Sequence, residues 1–243
     1  MHHISDKEEG SWWTAIRDGT VAAWPICLGY LAIGLAFGVI AQKAGLHPLE
    51  IGLMSLLVYA GSSQFIAISM LAGGSAIAPI VATTFMVNLR HLLMSSSLSI
   101  YLRSLRGPWL AFYAYGVTDE SFALNLTRFR TGGWDWRRAL VLNHVTNLAW
   151  IGSTMLGGVG GQFIPPGAFG IDYALVAMFI CLLIFQLRGP VFILVALIAG
   201  GLAVGLSLII PGNSYILIAS VTAATLGIFL GRLKGLQGGE GAR

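Results

Sequence analysis

Arg90 stands in the run Ala76 to Tyr101, within Asn88-Leu89-Arg90-His91, where the flanking sequence is apolar enough to lie in lipid. A guanidinium at that depth costs roughly 2.5–3.5 kcal/mol on insertion scales, so such charges face a polar cavity or a partner. Two further polar clusters offer it company. Tyr59-Ala60-Gly61-Ser62-Ser63-Gln64-Phe65 interrupts an apolar run from Leu49 to Ala72. Gly61, Ser62, Ser63 and Gln64 weaken a helix, and an unwound turn there would free backbone N–H and C=O groups. Such groups are tolerated at membrane depth only where they line a cavity or are enclosed in protein. The other reading of this cluster is a continuous helix whose serines bond back to the preceding turn. Thr118-Asp119-Glu120-Ser121 places adjacent carboxylates in a fourth apolar run, Trp109 to Arg128. One can neutralise Arg90, and the other can carry a coupling proton or hold an ammonium group. The alternative is that the true helix begins here and the two form an N-terminal charge pair at the interface.

Asn88 and His91 are three residues apart and share a helix face, whereas Arg90 points about 100° away from His91. Two polar faces on one helix require deep enclosure. Arg90 can serve there as a pathway group, or it can simply tie helices together. Asn143, His144 and Asn147 add polarity to a fifth run. A membrane histidine of this kind is more often a helix-to-helix hydrogen bonder than a proton relay.

The surrounding composition explains why these clusters lie in lipid. Charged residues make up 10% of the 243, against about 25% in soluble domains. Eight apolar runs are readable: Val21–Ala41, Leu49–Ala72, Ala76–Tyr101, Trp109–Arg128, Ala139–Gly158, Ile171–Leu187, Val191–Ile210 and Ser214–Leu230. Each approaches the ~20 residues a span needs. The expected fold is all-α, a polytopic membrane helix bundle of seven to eight transmembrane segments with at least one discontinuous helix. Residues 1–243 form a single integral membrane domain, with 1–19 an interfacial N-terminal segment and 232–243 a cytoplasmic tail. Within 1–19, Ser11 to Asp18 reads as a short helix with Trp12 and Trp13 at headgroup level.

Loop charges favour cytoplasmic termini, with ten basic residues on the inner side and Lys43, Arg103 and Arg106 on the outer. Small-residue pairs four apart (Gly34 and Gly38, Gly157 and Gly161, Gly201 and Gly205, Gly227 and Gly231) fit close helix packing within the chain. A faint internal echo links Tyr59-Ala60 to Tyr115-Gly116, and the spacing from Gln64 to Asn88 resembles that from Glu120 to Asn143. It fits an internal duplication without deciding between a parallel and an inverted one. Cys27 and Cys181 read as small buried side chains, and no ligand cluster suggests a metal. No phosphate loop, HExxH or GxSxG is present, so neither an ATP-driven pump acting alone nor an intramembrane hydrolase is supported. The spread of basic residues gives no nucleic-acid patch, and no cofactor is expected.

Phe37-Gly38-Val39, the Tyr59 to Phe65 motif, Val87-Asn88-Leu89-Arg90-His91-Leu92-Leu93-Met94-Ser95 and Thr118-Asp119-Glu120-Ser121-Phe122-Ala123 together resemble the AzlC family. The likeness covers about Pro25 to Gly161. It implies the large subunit of a secondary exporter in the cytoplasmic membrane, not an enzyme. Its substrates would be leucine, isoleucine, valine or methionine, and it would work beside a small AzlD-type membrane subunit. The residues fit that substrate class. Arg90, or half-helix N–H groups around Gly61, Ser62, Ser63 and Gln64, would take a carboxylate, with Asn88 and His91 also in the pathway. Asp119 and Glu120 would face an ammonium or a coupling proton. A passive small-solute channel and a membrane scaffold that transports nothing are the competing classes.

Overall fold

The structure is a computed structural model that describes residues 12–165 and 189–209, with scattered positions between 173 and 187 and between 215 and 229. Among the described residues it is all-helical. The helices are α1 (Trp12–Lys43), α2 (Pro48–Leu57), α3 (Gly61–Ala72), α4 (Ile77–Leu98) with a 3₁₀ turn at Ser99–Tyr101, α5 (Gly107–Tyr115), α6 (Asp119–Thr131), α7 (Trp136–Gly161) and α8 (Pro190–Ser207). The chain packs into two compact units, Met1–Ser69 with Thr84–Ala174, and Met70–Thr83 with Leu175–Arg243. Among the described residues three helical stretches are long and apolar enough to cross a membrane: Trp12–Lys43, Ile77–Tyr101 and Pro190–Ser207. The expected runs Ile171–Leu187 and Ser214–Leu230, and the tail 232–243, fall largely or wholly outside the described residues. The separate interfacial helix expected over Ser11 to Asp18 is instead the first turns of α1, which continues through Pro25.

The first unit is built on α1 and α7, which run parallel. Gly19 lies against Arg138 and Val141 where both helices begin, and Gly161 lies against Val39 where both end. Between them Gly34 meets Ser153, Gly38 meets the Thr154 and Gly157 backbone, and Gly157 meets the Leu35 backbone. In lipid, helix association rests on van der Waals packing, and missing side chains let two backbones approach. Two of the expected glycine pairs therefore pack within the chain. In the second unit, Gly201 and Gly205 of α8 have nothing within 4 Å of a Cβ position, while Gly227 lies against Val195.

Two apolar runs do not cross the unit as single rods. The run from Leu49 to Ala72 breaks at Val58–Ala60, where Tyr59 takes φ +41°. Gln64 Nε2 then donates to Ser55 Oγ at 3.1 Å, although nine residues of straight helix would separate them by about 13 Å. α3 thus turns back along α2. The fourth run also folds back. α5 and α6 hold 9 and 13 residues, about 33 Å of helix if straight. Their outer ends nevertheless lie by one core cluster, against which Tyr101, Phe129 and Trp136 pack. Trp109 at the start of α5 lies 5.9 Å from the Trp136 ring, and Phe129 near the end of α6 stacks on Tyr101 at 5.0 Å. Arg103 and Arg106 therefore share a face with Arg128, Arg130, Arg137 and Arg138, not the opposite face that the loop count assigned. A chain that reverses at its midpoint carries its flanking charges back to the side it came from.

Each hairpin precedes a long helix, α4 after the first and α7 after the second. The α2 end of the first hairpin lies by Gly158 near the end of α7, whereas the second opens beside Trp136 at its start. The hairpins thus enter from opposite faces, and the echo between Tyr59-Ala60 and Tyr115-Gly116 corresponds to an inverted arrangement.

Adding a methyl group to Gly38 should weaken the unit, because its Cβ would fall 2.8 Å from the Gly157 carbonyl carbon, a backbone atom that cannot swing away. The expected loss for Gly38→Ala is ~1–3 kcal/mol, despite the gain of ~1 kcal/mol in helix propensity. Gly29→Ala, with nothing within 4 Å, should be neutral or stabilising. Thermal unfolding of both variants in detergent separates these outcomes.

Candidate functional site

The polar clusters converge where the hairpin tips meet. At the first tip Gly61, Ser62, Ser63 and Gln64 form the opening turn of α3. Ser63 Oγ donates to the Ala60 carbonyl at 2.9 Å, and a Cβ on Gly61 would meet the Trp150 ring at 3.2 Å. Gln64 is fully buried and used at both ends: it donates to Ser55 and accepts from Trp150 Nε1 at 2.9 Å. Tyr59 is buried in a backbone region that costs a bulky residue ~1–3 kcal/mol, and its hydroxyl donates to Thr146 Oγ1 at 3.1 Å. Ser63 and Gln64, expected in the pathway, thus hold the first tip in place.

The second tip closes by capping. Thr118 Oγ1 accepts from the Ser121 N–H, and Ser121 Oγ accepts from the Thr118 N–H at 2.9 Å. α6 therefore begins at Asp119, with Asp119 and Glu120 in its positive first turn, but this start lies at the hairpin tip beside Arg90 and not at the interface where the helix-start alternative put it. Asn143 binds the end of α5 through the Tyr113 carbonyl at 3.3 Å, and Gly116 leaves room for the Asn143 Cβ. Fully buried Asn125 continues this chain, donating to Asn143 Oδ1 at 2.9 Å and accepting from Trp134 Nε1 at 3.0 Å.

The tips touch each other. Tyr115 donates its hydroxyl proton to the Leu56 carbonyl near the end of α2, and its ring lies 6.1 Å from that of Tyr59. Arg90, on α4, reaches both half-helix starts. Nη1 lies 2.7 Å from Asp119 Oδ2, and Nη2 donates to Ser62 Oγ. The remaining guanidinium nitrogen, Nε, is buried without a partner among the described residues. Glu120 points to α1, where Tyr30 Oη lies 2.8 Å from both Glu120 Oε2 and Thr118 Oγ1.

Asn88 and His91 flank Arg90 without joining this network. Their one mutual contact is His91 Nδ1 to the Asn88 carbonyl at 3.2 Å, and Asn88 Oδ1 is buried and unpartnered. Tyr30, Tyr115, Thr146 and Trp150 were missed as site residues. Each sits in an apolar run whose residue types and spacing look like ordinary packing. The Tyr59 and Tyr115 echo was the one available signal, and it pointed to both tips.

The arrangement separates charge. α3 carries no acidic residue in its first turn, and Arg90 lies beside it. α6 carries two. An anion is favoured at the first half-helix and a cation at the second. Among the described residues no cluster suits a metal ion.

The AzlC protein family matches residues 25–164, which include both hairpins, α4 and α7. The chain is 30% identical to a branched-chain amino acid transport protein of Bacillus subtilis over 94% of its own length and 89% of the relative's. It is 30% identical to the Escherichia coli inner membrane protein YgaZ, over 65% of this chain and 66% of that one. An uncharacterized membrane protein of Archaeoglobus fulgidus is 32% identical over 78% of this chain and 81% of its own. No solved structure matches.

Gln64→Leu should cost ~1–3 kcal/mol, since it strands the Trp150 N–H in the core, while the Ser55 hydroxyl keeps its bond to Thr154 Oγ1 at 2.8 Å. Gln64→Glu keeps the acceptor and should lose less, provided it is protonated. Denaturation midpoints of the two variants, with Ser62→Ala as a milder comparison, test whether Gln64 is an anchor of the tip.

Proposed function

The chain belongs to the AzlC family of membrane transport proteins, and on that premise we propose that it is a secondary transporter exporting branched-chain or other small hydrophobic amino acids across the cytoplasmic membrane. The observation that carries this reading is Arg90, which touches the starts of two half-helices of opposite electrostatic preference. A zwitterion needs that separation. Its carboxylate fits Arg90, whose Nε has no partner, together with the first amides of α3. Its ammonium fits Asp119 or Glu120. Substrate binding would then exchange the internal Arg90–Asp119 pair for two pairs to the ligand, which keeps the charge balance in lipid intact. The apolar side chain would rest on the aromatic rings of Tyr59, Tyr115 and Tyr30. Leucine, isoleucine, valine and methionine are the substrates we assign to the protein, as zwitterions with an apolar side chain.

Glu120 is the better candidate for a coupling proton. Its pairing with Tyr30 rather than Arg90 leaves it able to lose its charge without stranding the guanidinium. A small AzlD-type membrane subunit would be the working partner. Cytoplasmic N- and C-termini agree with the basic residues. With the second hairpin folded back, Arg17, Arg103, Arg106, Arg128, Arg130, Arg137 and Arg138 lie toward one face, and Lys43 toward the other. The hairpins entering from opposite faces suit alternating access to a central site. A channel lacks a reason for an arginine of α4 that joins the starts of two half-helices of opposite electrostatic preference. A scaffold lacks a reason for an unpartnered buried guanidinium donor.

Reconstituted with its small subunit, the parent protein should show saturable leucine flux that responds to an imposed pH gradient. Flux that neither saturates nor responds would point to a channel, and no flux would point to a scaffold. Arg90→Gln should lower export at least tenfold, about 1.4 kcal/mol or more of lost substrate interaction. Combining it with Asp119→Asn should restore protein abundance in the membrane, because neither charge is left alone, but should not restore transport. If the double variant transports normally, Arg90 is only a tie. Glu120→Gln should retain leucine exchange while losing its response to the pH gradient.

A further inference from the structure

A polar cavity lies away from the hairpin tips, at the face where α1 and α7 begin. It encloses about 280 Å³ and is lined by Arg17, Asp18 and Val21 of α1, Arg128 of α6, and Trp134 and Arg138 of the following turn and α7. Three guanidinium groups and one carboxylate leave the lining with an excess of two positive charges. Arg138 is committed, at 2.9 Å from Asp18 and 3.5 Å from Asp135. Arg128 lies over the Trp134 ring at 5.6 Å, and neither it nor Arg17 has a carboxylate partner among the described residues.

Two further observations say what fits there. The face carries a cluster of Trp12, Trp109 and Trp136 with Arg137 stacked 5.4 Å from two of the rings, the pairing of aromatic and basic groups that marks headgroup depth. Below the cavity, Val21, Trp24, Leu28, Leu31 and Leu35 form one exposed stripe along α1 at spacings of three and four. The stripe rises about 21 Å, enough to accompany an acyl chain through a leaflet of about 15 Å. Val21 belongs to both features, 69% exposed and lining the cavity.

We propose that this cavity is a binding site for an anionic phospholipid, with the phosphodiester between Arg17 and Arg128 and an acyl chain along the Val21–Leu35 stripe. The site is independent of the transport reading. A free phosphate shares the headgroup chemistry but cannot use the stripe, and a zwitterionic lipid can use the stripe but brings no net charge.

The test titrates the full-length purified protein in detergent with phosphatidylglycerol, phosphatidylcholine or inorganic phosphate and follows the thermal unfolding midpoint. Phosphatidylglycerol should raise the midpoint saturably, and the other two should not at matched concentrations. Arg17→Gln and Arg128→Gln should each raise the half-saturating phosphatidylglycerol concentration about fivefold, with Arg17→Lys and Arg128→Lys close to the parent. Phosphate as effective as phosphatidylglycerol would make this a soluble-anion site. Phosphatidylcholine as effective would reduce it to an apolar stripe. Glutamine variants that titrate like the parent would remove the cavity from lipid binding. Both residues are exposed, and the unliganded midpoint of each variant reports whether it folds.

Discussion

A bilayer core offers no hydrogen-bond partner to a free backbone group, and two helical hairpins of this chain turn inside the protein. That constraint organises the rest. Each tip exposes the end of one helix and the start of another, and each exposed group must be answered by protein. Much of the answer comes from α7. Trp150 and Thr146 hold the first tip through Gln64 and Tyr59, and Asn143 holds the second through the Tyr113 carbonyl. The tips also satisfy each other, with the Tyr115 hydroxyl on the Leu56 carbonyl. The polar residues of α7 are therefore the fastening of two broken helices.

α7 can do this because α1 fixes it along its length. The glycines at 34, 38, 157 and 161 bring the two backbones together, and a Cβ at these positions would meet the opposite helix. A pair held that closely is a rigid reference against which the hairpins sit. Arg90 belongs to a different level of the design. It arrives on α4 and joins Asp119 of one tip to Ser62 of the other, which neutralises its charge and sets an anion-preferring half-helix beside a cation-preferring one. The arginine is thus both a tie and half of a site, and the two roles do not compete.

The sequence carried a good part of this. Gly61-Ser62-Ser63-Gln64 pointed to the first break because small and polar residues weaken a helix in an apolar run, although the turn itself falls just before them, at Tyr59. That one of the adjacent carboxylates would pair with Arg90 was legible from charge economy; that it is Asp119, with Glu120 turned to Tyr30, was not. The role of Gln64 was not, because its two partners lie 9 and 86 residues away and nothing in their types sets them apart. Tyr30 was invisible for the same reason. The fourth run was read as a span because hydropathy registers burial in lipid and is blind to a reversal of direction. That error carried Arg103 and Arg106 to the wrong face.

Composition, periodicity and the position of the few charges determined, by themselves, a helical membrane protein with a polar centre built from three motifs, because each is a local consequence of what lipid will and will not solvate. The tertiary structure decided the direction of the chain through that centre. Whether a broken helix continues or folds back depends on which distant side chain caps each freed end. Here those caps are Trp150, Asn143, Tyr115 and Thr146, and they turned two apparent spans into opposed hairpins that meet at Arg90.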